Sequence, residues 1–263
     1  MTSTFRVMTW NVHDGIGGDG RYDLIRLERL IRAADADLIG LQEVGRRWLP
    51  DSQFDDELVQ LALAVGYFPF FAPINDLPAG PGLGRRQYGC GILSRWPLRS
   101  AQDHGLSRIG TYDPARQLHR LPGFPEVVVE PAPGRRCHFF CTHLYWRDAA
   151  VRRLEAEETV QILQPLIQQG ELCILVGDFN AEPGDAELAP LFAADSGLVD
   201  AGGTLPTYPA DHPTKRIDLV FVSRSLRVRQ PVVWPSPTAS DHRPVVVELG
   251  WDENPLGQSA GGR

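Results

Sequence analysis

Short apolar and alternating runs recur along the whole chain and predict a protein rich in β-strands. The predicted strands cover residues 5–11, 38–41, 67–74, 90–93, 126–130, 137–144, 172–176, 217–222 and 245–249. Many of these runs alternate between apolar and polar positions, which is typical of strands that place only one face on a core. The runs 126–130 and 137–144 flank a Pro- and Gly-containing segment, so we expect them to form a hairpin.

Apolar residues spaced three and four positions apart predict helices between the strands. These helices cover residues 22–34, 53–65 and 148–168, with a short helix near 188–192. Asp51 or Ser52 is the expected N-cap of the second helix, because short polar side chains accept the free backbone N–H groups there.

The segments 75–87, 100–123 and 200–216 lack either period and are predicted loops that shape the rim of a site. Strands and helices interleave without a break in composition, which indicates one α/β domain over residues 1–251. The alternating strands favour two sheets packed face to face, each with its other face on helices. The Gly- and Ser-rich segment 252–263 is expected to be a flexible tail.

Composition narrows the class of protein further. The chain has 263 residues, of which 43% are hydrophobic and 22% are charged, as in globular proteins with a sizeable core. No apolar run approaches the roughly 20 residues that span a bilayer, and residues 1–6 lack the apolar stretch of a secretory signal. We therefore expect a cytoplasmic protein without a transmembrane segment, acting as a monomer. The four cysteines have no zinc-site spacing and are expected to be reduced core thiols.

The net charge of the chain limits which binding partners are expected. A formal charge of −7 argues against a broadly basic surface for nucleic acid, but a local arginine cluster would still grip phosphate. Lys215 is the only lysine among 26 basic residues. Arg85 and Arg86 lie next to a Gly-rich segment, where such a pair either holds phosphate or is simply solvated; the solvated interpretation is favoured.

Polar side chains follow or precede several of the predicted strands. The positions are Asn11, Glu43, His143, Asp178, Asn180, Asp218, Asp241 and His242. A sheet would gather such groups at one edge, where catalytic groups of α/β proteins commonly lie. Carboxylate and amide oxygens suit a hard cation such as Mg²⁺ or Mn²⁺, whereas the absence of thiolates from the set disfavours structural zinc.

Each position also has an ordinary structural interpretation. Asp and Asn favour turns and caps, a histidine in an apolar run is commonly a satisfied core residue, and an acid beside an arginine forms structural ion pairs. Turns or caps are the alternative for Asp178 with Asn180 and for Asn11, and a turn before Pro244 is the alternative for Asp241 with His242. Glu43 is alternatively a helix-start acid, His143 a core histidine, and Asp218 an ion-pair partner of Arg216. The recurrence of one pattern at six separate strands favours a shared site over unrelated turns.

Six segments together resemble the ordered motifs of the endonuclease/exonuclease/phosphatase superfamily. They are TWNV at 9–12, LQEV at 41–44, THL at 142–144, GDFN at 177–180, RID at 216–218 and SDHRP at 240–244. The resemblance spans residues 7 to 249. It implies a four-layer α-β-β-α sandwich of two mixed β-sheets flanked by helices, dependence on Mg²⁺ with Mn²⁺ as a substitute, and hydrolysis of phosphoester bonds.

The resemblance also implies roles for individual residues. Glu43 resembles the principal metal ligand, helped by Asn11 and Asp241. Asp178 resembles the group that orients or deprotonates the attacking water, with Asn180 beside it.

Two histidines resemble the groups that face the scissile phosphate. His242 is one, with Asp218 fixing its tautomer and orientation, and His143 is the other. Members specialised for abasic sites generally carry a different residue at the second position, so His143 tilts the prediction away from that branch.

The predicted function is metal-dependent hydrolysis of a phosphodiester or phosphomonoester in a small or lipid-linked substrate. A nuclease with the same site is the alternative, and nucleic acid is not the favoured partner because no Lys/Arg-rich or aromatic–basic stretch is present. A catalytically silent binding module is a third hypothesis, disfavoured because no ligand position is lost.

Overall fold

The chain folds into two mixed β-sheets that pack face to face. This computed structural model describes residues 3–78, 84–107, 112–113, 118–120, 123–235 and 238–251. In chain order the strands are β1 (Ser3–Asn11), β2 (Leu38–Arg46), β3 (Phe68–Pro78), β4 (Arg85–Ser94), β5 (Ser100–His104), β6 (Tyr112–Asp113), β7 (Leu118–Arg120), β8 (Phe124–Ala132), β9 (Arg135–His143), β10 (Leu172–Asp178), β11 (Leu198–Asp200), β12 (Asp218–Ser223), β13 (Arg227–Val233) and β14 (Val245–Trp251).

Helices cover the outer faces of the two sheets. They are α1 (Leu24–Ala34), α2 (Glu57–Val65), α3 (Ala149–Gln168) and α4 (Ala189–Phe192), with single 3₁₀ turns at His13–Gly15, Ala186–Leu188 and Ala194–Ser196. Asp23 caps α1 by accepting from two backbone N–H groups, and Asp148 caps α3 in the same way with one.

The order of the strands places the parallel pair of each sheet in its interior. The first sheet runs β13-β14-β1-β2-β4-β3-β7-β6 and the second runs β11-β12-β10-β9-β8-β5. β1 is parallel to β2, and β9 is parallel to β10, while their other neighbours are antiparallel. Parallel partners need a crossover, and α1 and α3 supply the two crossovers.

Three apolar layers hold the sheets and helices together. The middle layer lies between the sheets and contains buried residues such as Val7, Ile92 and Ile174. An outer layer joins α1 and α2 to the first sheet through residues such as Leu27 and Leu58. The other outer layer joins α3 and α4 to the second sheet. The predicted four-layer α-β-β-α sandwich is confirmed.

The second helix starts later than its apolar spacing predicts. α2 begins at Glu57, and its N-cap is Asp56, whose carboxylate accepts from the N–H of Val59 at 3.3 Å. Gln53 and Phe54 have positive φ angles of 53° and 57°, which a right-handed helix does not allow. The predicted start at 53 and the predicted cap at Asp51 or Ser52 were therefore wrong.

Two of the predicted loops contain strand. The segment 75–87 is not one loop, because β3 continues to Pro78 and pairs with β4 from Arg85 onward. Residues 79–83 lie outside the described residues. Within 100–123, β5 adds an edge strand to β8, and β6 and β7 extend the first sheet; residues 108–111, 114–117 and 121–122 are not described.

Edge strands lack the apolar alternation of a half-buried strand, which is why the pattern did not predict β5 and β13. β5 and β13 are exposed or half-buried along most of their length, so they carry no apolar alternation. The predicted tail at 252–263 lies outside the described residues. Within the ranges given above, no helix is both long and apolar enough to cross a membrane.

Candidate active site

The ends of six strands meet at one edge of the sandwich. β1, β2, β9 and β10 run toward this edge, while β12 and β14, antiparallel to β10 and β1, start from it. In the second sheet Asp178 is the register partner of both His143 and Asp218. The topology therefore brings together segments that are up to 231 positions apart in the chain, between Asn11 and His242.

Asn11 connects the two sheets at this edge. Its side-chain nitrogen donates to Glu43 Oε1 and to Asp178 Oδ2, both at 3.0 Å. Its side-chain oxygen accepts from the backbone N–H of His13 at 3.1 Å. The buried amide thus fixes the spacing between two carboxylates that come from different sheets.

Glu43 lies where β2 departs from regular pairing with β4. The register shifts between Leu41 and Val44, and Glu43 has a φ angle of 57°. Such a bulge turns a side chain away from its regular direction, and bulges are common beside active sites. Burial, followed by the charges of Glu43 and Asp14, raises the pKa of Tyr88 well above its usual value, and Tyr88 hydrogen-bonds to Glu43.

Asp178 is buried between two imidazoles. Its Oδ2 lies 3.7 Å from His143 Nε2 and 3.7 Å from His242 Nε2. His143 Nε2 also lies 3.8 Å from Glu43 Oε1. These separations exceed direct hydrogen-bond distance, and Glu43, Asp178 and both histidines line the same cleft.

A chain of hydrogen bonds orients His242. Its Nδ1 lies 2.9 Å from Asp218 Oδ2, and the same carboxylate oxygen accepts from the Thr207 hydroxyl at 2.5 Å. Asp218 is fully buried. This arrangement leaves Nε2 of His242 facing Asp178 and assigns Nδ1 as the donor to Asp218.

The carboxylates also set the charge of His242. Burial alone would lower its pKa, but Asp218, Asp178 and Asp241 together raise the pKa to about 10. The surrounding carboxylates therefore favour the protonated form of this imidazole. Its ring contacts the Tyr208 ring at a centroid separation of 4.6 Å, which holds it from the side.

Asn180 and Asp241 complete the set of predicted residues. Asn180 has a φ angle of 50°; its backbone N–H donates to Asp178 Oδ1 at 2.9 Å and its side chain donates to the Leu144 carbonyl at 3.0 Å. Asp241 lies 3.8 Å from the ring of His13 through its Oδ1. The structure thus brings every predicted site residue to this edge of the sandwich, where most of them line one cleft.

The cleft has a volume of about 710 Å³. Carboxylates dominate its lining, and Lys215 is the one lysine or arginine among the described residues that line it. The acidic lining residues are Asp14, Glu43, Asp178, Glu182, Asp185 and Asp241. Aromatic rings form much of the remaining wall, contributed by Trp48, Tyr88, Tyr145, Trp146 and Tyr208.

The types of donor at this edge suit a hard divalent cation. The carboxylates of Glu43, Asp178 and Asp241 all line the cleft, and after burial their charges raise the pKa of Tyr208. Oxygen donors gathered in this way suit Mg²⁺ or Mn²⁺. Asp178, Asp218 and His242 also offer ligand atoms within 4.8 Å of one another, but both oxygens of Asp218 already lie within hydrogen-bond distance of His242 Nδ1.

Sequence reasoning missed several residues that support the site. Thr207, Tyr88 and Tyr208 lie in segments without a polar strand-end pattern, and only Asp14, three residues after Asn11, carried a signal that was overlooked. Ser240 lies in the SDHRP segment, and sequence alone predicted no role for it. Its hydroxyl donates to the Asn11 carbonyl at 2.7 Å and connects the loop before β14 to β1.

The comparison with protein families decides the assignment. The family model described as the endonuclease/exonuclease/phosphatase family matches residues 8–242. This chain belongs to that family. Its members are hydrolases, nucleases or phosphatases, and the match covers all eight predicted site residues.

One curated relative has nearly the same length. The uncharacterized protein YbhP of Escherichia coli is 25% identical over 257 residues, covering 94% of this chain and 96% of YbhP. A family member from Beutenbergia cavernae has a solved structure with 26% identity and a TM-score of 0.74, covering 97% of this chain and 73% of that one.

Two further solved structures share the fold at lower identity. The catalytic domain of human Nocturnin, with a bound sulfate anion, is 22% identical with a TM-score of 0.71, over 95% of this chain and 98% of that chain. A mannosyl-6-phosphatase of Bacteroides thetaiotaomicron is 21% identical with a TM-score of 0.69, over 93% and 99%. At these identities the likeness concerns the fold alone.

Proposed function

We propose that this chain is a divalent-metal-dependent hydrolase that cleaves a phosphodiester or phosphomonoester bond in a small or lipid-linked substrate. The observation that carries the proposal is the position of Asp178, whose Oδ2 lies 3.0 Å from the Asn11 amide and 3.7 Å from each of two imidazoles. Asp178 and both imidazoles line the same cleft, so a phosphoryl group bound in it would contact all three side chains.

Asn11, Glu43 and Asp241 are the residues that would hold the metal. When bound, a hard divalent ion neutralises charge on the phosphoryl oxygens and on the leaving oxygen. The negative lining of the cleft is consistent with this role, since an anionic substrate would otherwise be repelled.

The remaining residues supply proton handling and orientation. Under this proposal Asp178 orients the attacking water and accepts its proton, and the N–H of Asn180 and the amide of Asn11 each hydrogen-bond to one of its carboxylate oxygens. Under this proposal His242, oriented by Asp218, donates from Nε2 to a phosphoryl oxygen, and His143, whose Nε2 lies 3.7 Å from Asp178 Oδ2, donates to the phosphoryl group as well.

The surroundings of the cleft favour a compact substrate over a long polyanion. The two arginines that sequence analysis weighed as phosphate holders are both engaged: Arg85 pairs with Asp76 at 2.5 Å, and Arg86 donates to the Trp48 carbonyl at 2.8 Å through Nε. Lys215 is the single lining lysine or arginine among the described residues, whereas long nucleic acids bind through many phosphate contacts, so the described lining favours a compact substrate.

Aromatic side chains fit the non-phosphate part of such a substrate. Trp48 and Tyr88 lie against each other at a centroid separation of 5.5 Å, and the Arg147 guanidinium lies 4.4 Å above the exposed Trp146 ring. Rings of this kind bind sugars, planar groups or acyl chains through apolar contact. The mannosyl-6-phosphatase fold relative, as its name states, acts on a small phosphomonoester, which agrees with this substrate class.

A substrate panel tests the proposal. We expect the purified protein to hydrolyse bis(4-nitrophenyl) phosphate or 4-nitrophenyl phosphate with Mg²⁺ or Mn²⁺ and to stop when EDTA is added. Plasmid DNA, RNA and phospholipid vesicles are assayed beside these esters at low and moderate salt. Activity that persists in EDTA would overturn the metal requirement, and rapid, salt-sensitive cleavage of DNA or RNA would replace the proposed substrate class with the nuclease alternative.

A further inference from the structure

Two further carboxylates lie behind Glu43, outside the set that sequence analysis predicted. Asp14 belongs to the 3₁₀ turn that follows β1, and Glu57 is the first residue of α2. Asp14 is 9% exposed and Glu57 is 1% exposed. Asp14 borders the cleft, whereas Glu57 lies one layer deeper.

Each of these carboxylates has one buried oxygen without a hydrogen-bond partner. The two atoms are Asp14 Oδ1 and Glu57 Oε1. Both lie close to the α-carbon of Gly45: a methyl group built there would lie 2.6 Å from Glu57 Oε1 and 3.2 Å from Asp14 Oδ1. The two unpartnered oxygens therefore converge on one point from opposite elements.

Such an arrangement is costly without a positive partner. A buried carboxylate without a counter-charge is among the most unfavourable groups in a protein interior. Among the described residues, no lysine, arginine or histidine forms an ion pair with Asp14 or Glu57. Burial, followed by the neighbouring acids, raises the pKa of Asp14 to about 9; burial likewise raises that of Glu57 to about 8.

We propose that Asp14 and Glu57 bind a second hard divalent cation, separate from the ion assigned to Glu43, Asn11 and Asp241. The oxygen ligands suit Mg²⁺, Mn²⁺ or Ca²⁺ rather than a thiophilic metal. Asp14 borders the cleft, so the cleft is the side from which an ion would reach the pair.

This ion would support the geometry of Glu43. The second oxygen of Glu57 accepts from the backbone N–H of Gly45 at 2.8 Å. Gly45 follows Glu43 by two residues, at the bulge where the φ angle of Glu43 is positive. Fixing the Glu57 carboxylate therefore fixes the backbone that directs Glu43 into the cleft.

Counting bound Mn²⁺ tests the proposal without any assay of activity. Free Mn²⁺ is measured by electron paramagnetic resonance during titration of the full chain, after metal has been removed with chelator. We expect the wild type to bind one more Mn²⁺ per chain than Glu57→Gln or Asp14→Asn. Glu28→Gln on the outer face of α1, where Glu28 pairs with Arg32, is the matched control and should bind as many ions as the wild type.

The outcomes separate this proposal from the proposed function. Equal Mn²⁺ counts in the wild type and in both variants would overturn the second site and would assign a shared proton to the carboxyl pair. Circular dichroism checks that each variant is folded. If one variant does not fold, the Mn²⁺ count of the other variant tests the proposal. If these variants bind one ion fewer and the wild-type protein hydrolyses no phosphoester, the second metal site stands and only the proposed function is overturned.

Discussion

Two carboxylates in the second sheet are each flanked by two histidines, yet their geometry differs. Glu126 on β8 lies 2.6 Å from His104 Nε2 and 2.5 Å from His138 Nδ1. Asp178 at the end of β10 lies 3.7 Å from each of its two histidines. Direct hydrogen bonds join Glu126 to both of its histidines, whereas Asp178 lies beyond hydrogen-bond distance from both of its histidines.

Position in the sheet accounts for the difference. Glu126 pairs with Phe140 across the β8–β9 ladder, and His104 packs against Phe124 and Phe140 with centroid separations of 5.9 and 5.8 Å. Buried polar side chains within a ladder need hydrogen-bond partners among their neighbours. Asp178 lies at a strand end that borders a cleft, so its neighbours are held by other elements and do not close on it. A carboxylate between two imidazoles therefore forms a closed hydrogen-bonded group in one place and lines a cleft in the other.

The largest difference between the two groups should appear in activity. Asp178→Asn removes the group proposed to accept a proton from water, and we expect kcat to fall by about 10³-fold while the fold is retained. Glu126→Gln, the matched change in the closed group, should leave kcat within about twofold. Steady-state kinetics on the best ester of the panel measure both values; similar losses in the two variants would erase the distinction.

Asp218→Asn tests the orientation of His242. We expect kcat to fall by about 10- to 100-fold, because Asp218 fixes the ring and stabilises its charge. The wild-type His242 has its pKa raised to about 10, so activity that needs the cation is present at lower pH and is lost as pH rises through that value. The variant should lose activity at lower pH than the wild type. A pH–rate profile with an unchanged alkaline limb would contradict the role of Asp218.

Glu126→Gln should act on stability. Burial would raise the pKa of Glu126, but hydrogen bonds from His104 and His138 lower it to about 2. A lowered pKa means that the carboxylate stabilises the fold above pH 4.5 and that this contribution disappears as pH falls toward 2. We expect the variant to lose about 1 to 3 kcal/mol in urea unfolding at pH 7. The deficit should shrink as the pH is lowered below 4.5, and a constant deficit would contradict the ionic interpretation.

Much of the layout could be predicted from the chain because apolar alternation and strand-end polarity are local signals. The strands that carry Asn11, His143 and Asp178 are buried in the sheet interiors, so their apolar runs are unmistakable. A polar residue that ends such a run must face a partner or a cleft, which is why the site set could be proposed from spacing and motif together.

Other features depend on contacts between distant segments and leave no local signal. β5 and β13 are edge strands whose polar faces meet solvent, so they lack the alternation that identifies a strand. The late start of α2 depends on two residues with positive φ, which the apolar spacing does not encode. The pairing of Asp14 with Glu57 joins residues 43 positions apart, and only the folded chain brings them to Gly45.

The most direct test of the account is the Mn²⁺ dependence of hydrolysis in the wild type and in Glu43→Gln. The account predicts that wild-type turnover rises from zero in EDTA to a plateau with Mn²⁺. It predicts that Glu43→Gln, which loses a charged ligand beside Asn11, needs at least about tenfold more Mn²⁺ for half of its maximal rate. Turnover that is unchanged by EDTA, or superimposable Mn²⁺ curves for the two proteins, would contradict it.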